Sequence, residues 1–222
     1  MIIARNLALR KLCIPELVIP TGSAALIGPN GSGKTTFLRI LAGVLSPEKG
    51  FVSINGRPPG ELRIGFVNEY PDRNLLFSRV LDEIAAPLRF TRAPCDEISR
   101  KVKLASERAG LSHLTNRRIH TLSGGEKTLV ALLAATIHAP GLLILDEFDS
   151  HLDDQSLEAA EQVISASGAA SVLRCTQNMD VASRSGTLVA LFGGKVRASG
   201  NPGEVFSTLS GTCYVPFGWR DE

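Results

Sequence analysis

No run in this chain approaches the roughly 18 consecutive apolar residues that a membrane-spanning helix requires, so no transmembrane segment is expected. The first residues, Met1-Ile2-Ile3-Ala4-Arg5-Asn6, lack the long apolar core of a signal peptide, which points to a cytosolic protein whose membrane contacts would need a partner. The chain also lacks a marked excess of either charge. Against 24 Lys and Arg stand 22 Asp and Glu, a net charge of +2, so general nucleic-acid binding is not expected. Cys13, Cys95, Cys175 and Cys213 are scattered without a CxxC pair, and His113, His120, His138 and His151 lack metal-ligand spacing. This argues against a zinc site and predicts reduced, mostly buried thiols. Residues 1–36 contain no Phe, Tyr or Trp. Repeats, low-complexity stretches and flexible linkers are absent as well.

What is present suits one large domain or two small ones: 222 residues, of which 44% are hydrophobic, enough for a substantial core. Short apolar runs alternate with helical patterns, the signature of a parallel sheet flanked by helices. Ala24–Ile27, Phe51–Ile54, Ile64–Val67, Leu142–Leu145, Ser171–Cys175 and Leu188–Phe192 read as strands. Gly193-Gly194 reads as a hairpin turn, with Lys195–Ala198 as the return strand. Thr36–Leu45 reads as a helix with Phe37, Ile40, Leu41 and Val44 on one face, ended by Ser46-Pro47-Glu48-Lys49-Gly50. From Pro71 to Ala139 the pattern is mainly helical, clearest at Val80–Leu88 and Ile98–Ala109, with Glu126–His138 following. The expectation is a single α/β domain over residues 1–222. Its core is 1–70 and 140–222, with an N-terminal β subdomain, and a helical subdomain at 71–139 is inserted in it.

Three segments carry chemistry. Gly28-Pro29-Asn30-Gly31-Ser32-Gly33-Lys34-Thr35, continuing into Thr36, fits GxxxxGK[ST] with a strand before it and a helix after it. The glycines let backbone N–H groups turn inward around phosphate oxygens, and the helix N-terminus adds a favourable field. Lys34 should contact the β- and γ-phosphates, and the Thr35 hydroxyl should ligate Mg²⁺. Downstream, Leu142–Leu145 has the character of a strand buried on both faces and ends in Asp146 and Glu147, at the edge where open α/β sheets place ligands. Read alone, these are two solvated carboxylates at a strand end. Between the two lies Leu122-Ser123-Gly124-Gly125-Glu126. Ser123 and Glu126 satisfy a helix-capping box, but capping does not call for two glycines, which weaken a helix start. They make sense where a phosphate approaches bare backbone.

In this order the three segments resemble the ATP-binding-cassette (ABC) ATPase family, over nearly the whole chain. The resemblance implies a P-loop NTPase fold of ABC type, ATP as substrate, Mg²⁺ as cofactor and ATP-driven dimer closure. It implies that Leu122, Ser123, Gly124, Gly125 and Glu126 cap the nucleotide held by an opposite subunit. Asp146 would hold Mg²⁺ through water, and Glu147 would polarise the attacking water. Asp149-Ser150-His151-Leu152-Asp153 matches the segment that crosses the dimer interface, which favours His151 as an interface residue over a catalytic base. Phe148 and Asp149 depart from the Pro-Thr usual in transporter members.

Three further departures bear on activity. Glu69 stands where the family usually places a glutamine that senses Mg²⁺ and the γ-phosphate. With a one-residue shift, Asn68 would be the nearest amide. Gln177, in Thr176-Gln177-Asn178, replaces the histidine that contacts the γ-phosphate, and an amide donates a hydrogen bond but cannot become cationic. The missing aromatic in residues 1–36 removes the usual stacking partner of adenine.

The expected function is the ATPase subunit of a membrane transporter, peripheral on the cytoplasmic face. Its partners would be a transmembrane subunit and a second ABC ATPase, in a homodimer or a heterodimer, the latter slightly favoured. The ending Gly193–Phe206 resembles transporter ATPases, and Tyr70-Pro71-Asp72-Arg73-Asn74-Leu75-Leu76-Phe77 resembles the energy-coupling-factor branch. Two alternatives stay open: a soluble ABC ATPase of iron–sulfur assembly, and a nucleotide-sensing module with little turnover. Chromosome-maintenance ATPases are disfavoured, because no sustained heptads lie between Thr36 and Leu122.

Overall fold

A computed structural model describes residues 1–150 and 152–217. In chain order its elements are β1 (Ile2–Leu9), β2 (Leu12–Ile19), β3 (Gly22–Ile27), α1 (Lys34–Leu41), β4 (Lys49–Ile54), β5 (Ile64–Val67), α2 (Val80–Phe90), α3 (Cys95–Arg108), α4 (Gly124–Thr136), β6 (Leu142–Asp146), α5 (Asp154–Ala166), β7 (Ser171–Cys175), α6 (Met179–Ser183), β8 (Thr187–Phe192), β9 (Lys195–Gly200) and α7 (Pro202–Thr208). The chain divides into two compact units. One is Met1–Leu62 with the described residues from Ala170 onward, and the other is Arg63–Ala169.

In the first unit, β2, β1 and β4 form an antiparallel sheet. Beside it runs the order β7-β3-β8-β9, parallel through β8, with β9 returning antiparallel after the Gly193-Gly194 turn. Ala24, Ala25, Leu26 and Ile27 of β3 are buried, as a strand covered on both faces requires. Ala25, Ile27 and Leu188 pack with Val205, Phe206 and Val215, so α7 and the segment after it close one side of this sheet. The second unit holds the parallel pair β5 and β6 with helices α2 to α5. Gly65 marks how tightly α4 lies on β5: a Cβ there would come 2.4 Å from the Ala135 carbonyl oxygen. Among the described residues no helix is long and apolar enough to cross a membrane.

Several sequence expectations need correction. The first helix spans Lys34–Leu41 rather than Thr36–Leu45. Gly43 at φ +72° turns the chain out of the helix, so Val44 leaves the apolar face and is 70% exposed. The helix read at Ile98–Ala109 starts earlier, at Cys95, and the one at Glu126–His138 runs from Gly124 to Thr136. Lys195–Ala198 extends to Gly200. Cys13, Cys95 and Cys213 are exposed, so Cys175 alone fits the expectation of buried thiols. In β1 a register irregularity between Arg5 and Ala8 against β4, with Asn6 at φ +48°, interrupts the alternation that would mark the strand in the sequence.

Candidate nucleotide site

The phosphate loop lies in the first unit, between β3 and α1. Gly28 is required by space as well as by its φ of +141°, since a Cβ would fall 2.0 Å from the Leu191 carbonyl oxygen. Gly33, left-handed at φ +102°, caps α1 and delivers Lys34 as the first helical residue. Lys34 is only 5% exposed, and its Nζ donates to the carbonyls of Gly28 at 2.8 Å and Pro29 at 3.2 Å. The loop is braced by Ser32 N–H to Pro29 at 3.1 Å and Gly194 N–H to the Ser32 carbonyl at 2.9 Å. The Ser32 Oγ is buried and has no hydrogen-bond partner among the described residues. Buried hydroxyls are seldom left so, and an oxyanion in the loop would supply the acceptor. Thr35 is exposed at the head of α1. Gln177, leaving β7, donates from Nε2 to Asn30 Oδ1 at 3.2 Å, which places its amide against the phosphate loop. Asn178 beside it caps α6 by accepting from Asp180 and Val181 N–H.

In the second unit, β5 and β6 run parallel with Val67 opposite Leu145, so Glu69 and Glu147 emerge at the same end of the pair. Asp146 is buried at 6% exposure. Glu147 is half-buried with φ +49°, a left-handed backbone that disfavours any residue with a Cβ. Its carbonyl accepts from Ser150 N–H at 3.2 Å and Ser150 Oγ at 2.8 Å, so the turn after β6 fixes the strained conformation. Asp153 caps α5 by accepting from Ser156 N–H at 2.8 Å, and that backbone hydrogen bond holds its carboxyl below the usual range. His151 lies outside the described residues.

Glu69 has a partner that the sequence reading did not single out. The Tyr70 hydroxyl is hydrogen-bonded to the Glu69 carboxylate, and this bond, reinforced by the Glu69 charge, raises the Tyr70 pKa; the Glu147 charge adds a smaller push. The Arg73 guanidinium lies 5.0 Å from the centre of the Tyr70 ring. Asn68 is engaged elsewhere: its N–H and Nδ2 both donate to Asn74 Oδ1, at 2.8 and 3.1 Å. Asn74 Nδ2 in turn donates to the Phe66 carbonyl at 2.7 Å, and buried Glu83 accepts from Leu76 and Phe77 N–H at 2.8 Å each. The segment after β5 is therefore clamped at both ends. Glu83 sits in no recognisable motif, and the Tyr70–Phe77 pattern does not show what Asn74 bonds, so only the folded chain shows the clamp.

The capping box at the start of α4 is formed. Glu126 N–H donates to Ser123 Oγ at 3.2 Å, and Ser123 N–H to Glu126 Oε2 at 2.7 Å. Leu122 is buried, and Arg117 lies 3.6 Å from Glu126. The two glycines separate in role. A Cβ on Gly125 would meet Ser156 Oγ at 2.7 Å, whereas one on Gly124 would meet nothing within 4 Å. Packing against α5 accounts for Gly125, and Gly124 faces open space.

Comparison with known proteins agrees with this geometry. The family model described as ABC transporter matches residues 17–150. The chain is 32% identical over 199 residues to the energy-coupling factor transporter ATP-binding protein EcfA1 of Lactiplantibacillus plantarum, an alignment covering 85% of this chain and 71% of that protein. It is 38% identical over 138 residues to the molybdate/tungstate import ATP-binding protein WtpC of Pyrococcus horikoshii, covering 59% of this chain and 39% of that longer one. Among solved structures, cbiO1 from Clostridium perfringens, part of the ABC transporter complex cbiONQ, superposes with a TM-score of 0.81 at 26% identity, over 93% of this chain and 90% of that one. The dimeric ATP-binding cassette MJ0796 bound to ADP and Pi shares the fold, with a TM-score of 0.79 at 23% identity over 91% of this chain and 99% of that one. With the phosphate loop, the paired carboxylates and the capped glycine segment folded as described, this chain belongs to the ABC transporter family, as one of its ATPases.

Proposed function

We propose that this chain energises a membrane transporter from the cytoplasmic face, through nucleotide-driven closure with a second ATPase subunit. The observation that favours a transporter over a soluble ATPase is an apolar groove in the second unit. It has a volume of about 440 Å³ and is lined by Phe66, Leu76, Phe77, Pro87 and Phe90 among others. Leu76, on the segment clamped by Asn74 and Glu83, is 78% exposed, and Phe90 at the end of α2 is 72% exposed. Large apolar side chains held out to solvent on a rigid support suit a docking partner. A cytoplasmic helix of a membrane subunit fits this groove. Narrower placement in the energy-coupling-factor branch rests on Tyr70–Phe77 and on the name of the EcfA1 relative.

In this reading Lys34 and the loop amides hold the β- and γ-phosphates, Ser32 Oγ donates to a phosphate oxygen, and Gln177 donates to the γ-phosphate. Glu147 orients the attacking water and takes up its proton. Thr35, Asp146 and Glu69 are hard oxygen donors of the kind Mg²⁺ prefers. The Thr35 hydroxyl makes no hydrogen bond among the described residues and is available as a ligand. Bound there, Mg²⁺ would neutralise charge on the phosphate oxygens. The Tyr70 hydroxyl offsets part of the extra negative charge that Glu69 brings. Ser123 and the bare backbone at Gly124 face the nucleotide of the partner subunit.

Crosslinking tests the membrane assignment. With the exposed native cysteines replaced, Leu76→Cys should capture an integral membrane protein in cells. Capture of soluble iron–sulfur assembly proteins alone would move the function to that class. Gly124→Ala tests the signature. The open space around Gly124 predicts unchanged or slightly raised thermal stability, since alanine is favoured over glycine in helices by up to about 1 kcal/mol. Hydrolysis in the assembled complex should fall by about tenfold or more, because the methyl group occupies the path of the partner's phosphate. Full hydrolysis by a stable Gly124→Ala complex would mean that capping alone explains the segment.

A further inference from the structure

Outside both the phosphate loop and the groove, the second unit contains a cavity of about 460 Å³ between α3, the C-terminal end of α4 and α5. Its apolar lining includes Leu104, Leu133, Ile137 and Val163. Around these stand Arg63, Lys101, Arg108 and His138, and no Asp or Glu lines the cavity. Lys101 is paired with Glu97 at 2.7 Å. The side chains of Arg63 and Arg108 make no ion pair or hydrogen bond among the described residues. The Nδ1 of His138 is buried there without a hydrogen-bond partner.

We propose that this cavity binds a small organic anion: a carboxylate, sulfate or phosphate head on an apolar body. The volume lies within the roughly 300–1,000 Å³ usual for small-molecule sites. Two unpaired guanidiniums leave donors and positive charge without an acceptor, and an anionic head supplies the acceptor and the opposing charge. The buried His138 Nδ1, also without a partner among the described residues, can donate to it in the Nδ1–H tautomer. Burial and the neighbouring Arg63 charge lower the His138 pKa, so His138 presents a neutral ring to the cavity while the guanidiniums carry the positive charge. An inorganic ion would satisfy the cations but leave the apolar lining in contact with water. An amphipathic anion covers both surfaces.

The cavity is separate from the nucleotide chemistry. Gly124 opens the 13-residue α4, while Leu133 and Thr136 near its other end line the cavity, so the two are roughly 14–18 Å apart along the helix. His138 lines both the cavity and the docking groove, which gives a bound anion a direct neighbour on the partner-facing side.

Calorimetric titration of the full chain with octanoate, against octanol as the uncharged control, tests the proposal. Octanoate should bind saturably at one site, with octanol at least about tenfold weaker. Arg63→Glu and Arg108→Glu should each weaken octanoate by about tenfold or more, and the double variant should abolish it. Ala105→Trp, which fills the cavity from α3, should remove binding of both compounds. Unchanged Mg-ATP affinity in each variant establishes that the chain remains folded. Equal binding of octanol and octanoate, octanoate binding that survives the double reversal, or no saturable binding at millimolar octanoate would each overturn the anion site.

Discussion

Replacing Lys34 with alanine should remove Mg-ATP binding while leaving the fold in place. Lys34 is 5% exposed, and its Nζ donates to the Gly28 and Pro29 carbonyls at 2.8 and 3.2 Å. Neutral carbonyls hold a buried cation less well than phosphate oxygens do, so nucleotide draws the lysine into a charge–charge contact. Each charge-assisted hydrogen bond contributes on the order of 1.5–3 kcal/mol. Losing one or two of them should therefore weaken Mg-ATP by roughly a hundredfold or more. The variant gives up the hydrogen bonds to Gly28 and Pro29 but no longer buries a charge, so the loss of binding should exceed any loss of stability. Calorimetry with Mg-ATP and thermal unfolding measure the two quantities independently. A folded variant with unchanged ATP affinity would show that this loop is not the phosphate site.

Glu147→Gln should cut hydrolysis by about 10²–10⁴-fold while ATP still binds, the range typical for removal of a positioned general base. Glu147 holds a left-handed backbone at φ +49°, with its carbonyl tied to Ser150, and glutamine keeps the side-chain length while losing the proton acceptor. The size of the loss should depend on which ATPase carries it. In the proposed reading, Glu69 and Gln177 alter the γ-phosphate sensors of this chain's own site, whereas Leu122–Glu126, which would serve the partner's nucleotide, keeps the family pattern. In a heterodimer, Glu147→Gln here should reduce complex turnover less than the equivalent change in the partner. The isolated chain should hydrolyse ATP slowly. Gln177→His should speed it, because the Gln177 amide already reaches Asn30 of the phosphate loop at 3.2 Å and an imidazole there can also carry charge. Fast turnover by the purified chain alone, indifferent to Gln177→His but abolished by Glu147→Gln, would refute the asymmetry.

Much of the site was legible because its physics is local. A phosphate loop needs glycines at fixed spacing after a strand, and Gly28–Thr35 shows that spacing without reference to any distant residue. The capping box at Ser123 and Glu126 spans three residues, and it forms as the spacing implies. Leu142–Leu145 reads as a buried strand because four consecutive apolar side chains suit a strand covered on both faces. Strand β1 is harder to read, since the irregularity near Asn6 breaks its period of two. Helix α1 was overextended because Val44 continues the apolar spacing past a glycine that reverses the backbone.

The sequence by itself determined the glycine spacing between β3 and α1, the strand-and-helix alternation and the chain's resemblance to ABC ATPases, because each depends on neighbours within a few residues. Tertiary structure decided what depends on residues far apart in the chain. It brought Tyr70 within reach of the Glu147 charge, and it gave Gly125 a packing reason that Gly124 lacks. It left three of four cysteines exposed and clamped the Tyr70–Phe77 segment through Asn74 and Glu83. It also gathered Arg63, Lys101, Arg108 and His138 around one cavity. Such groupings arise when helices from separate stretches pack on a shared core, and no local pattern in the chain encodes them.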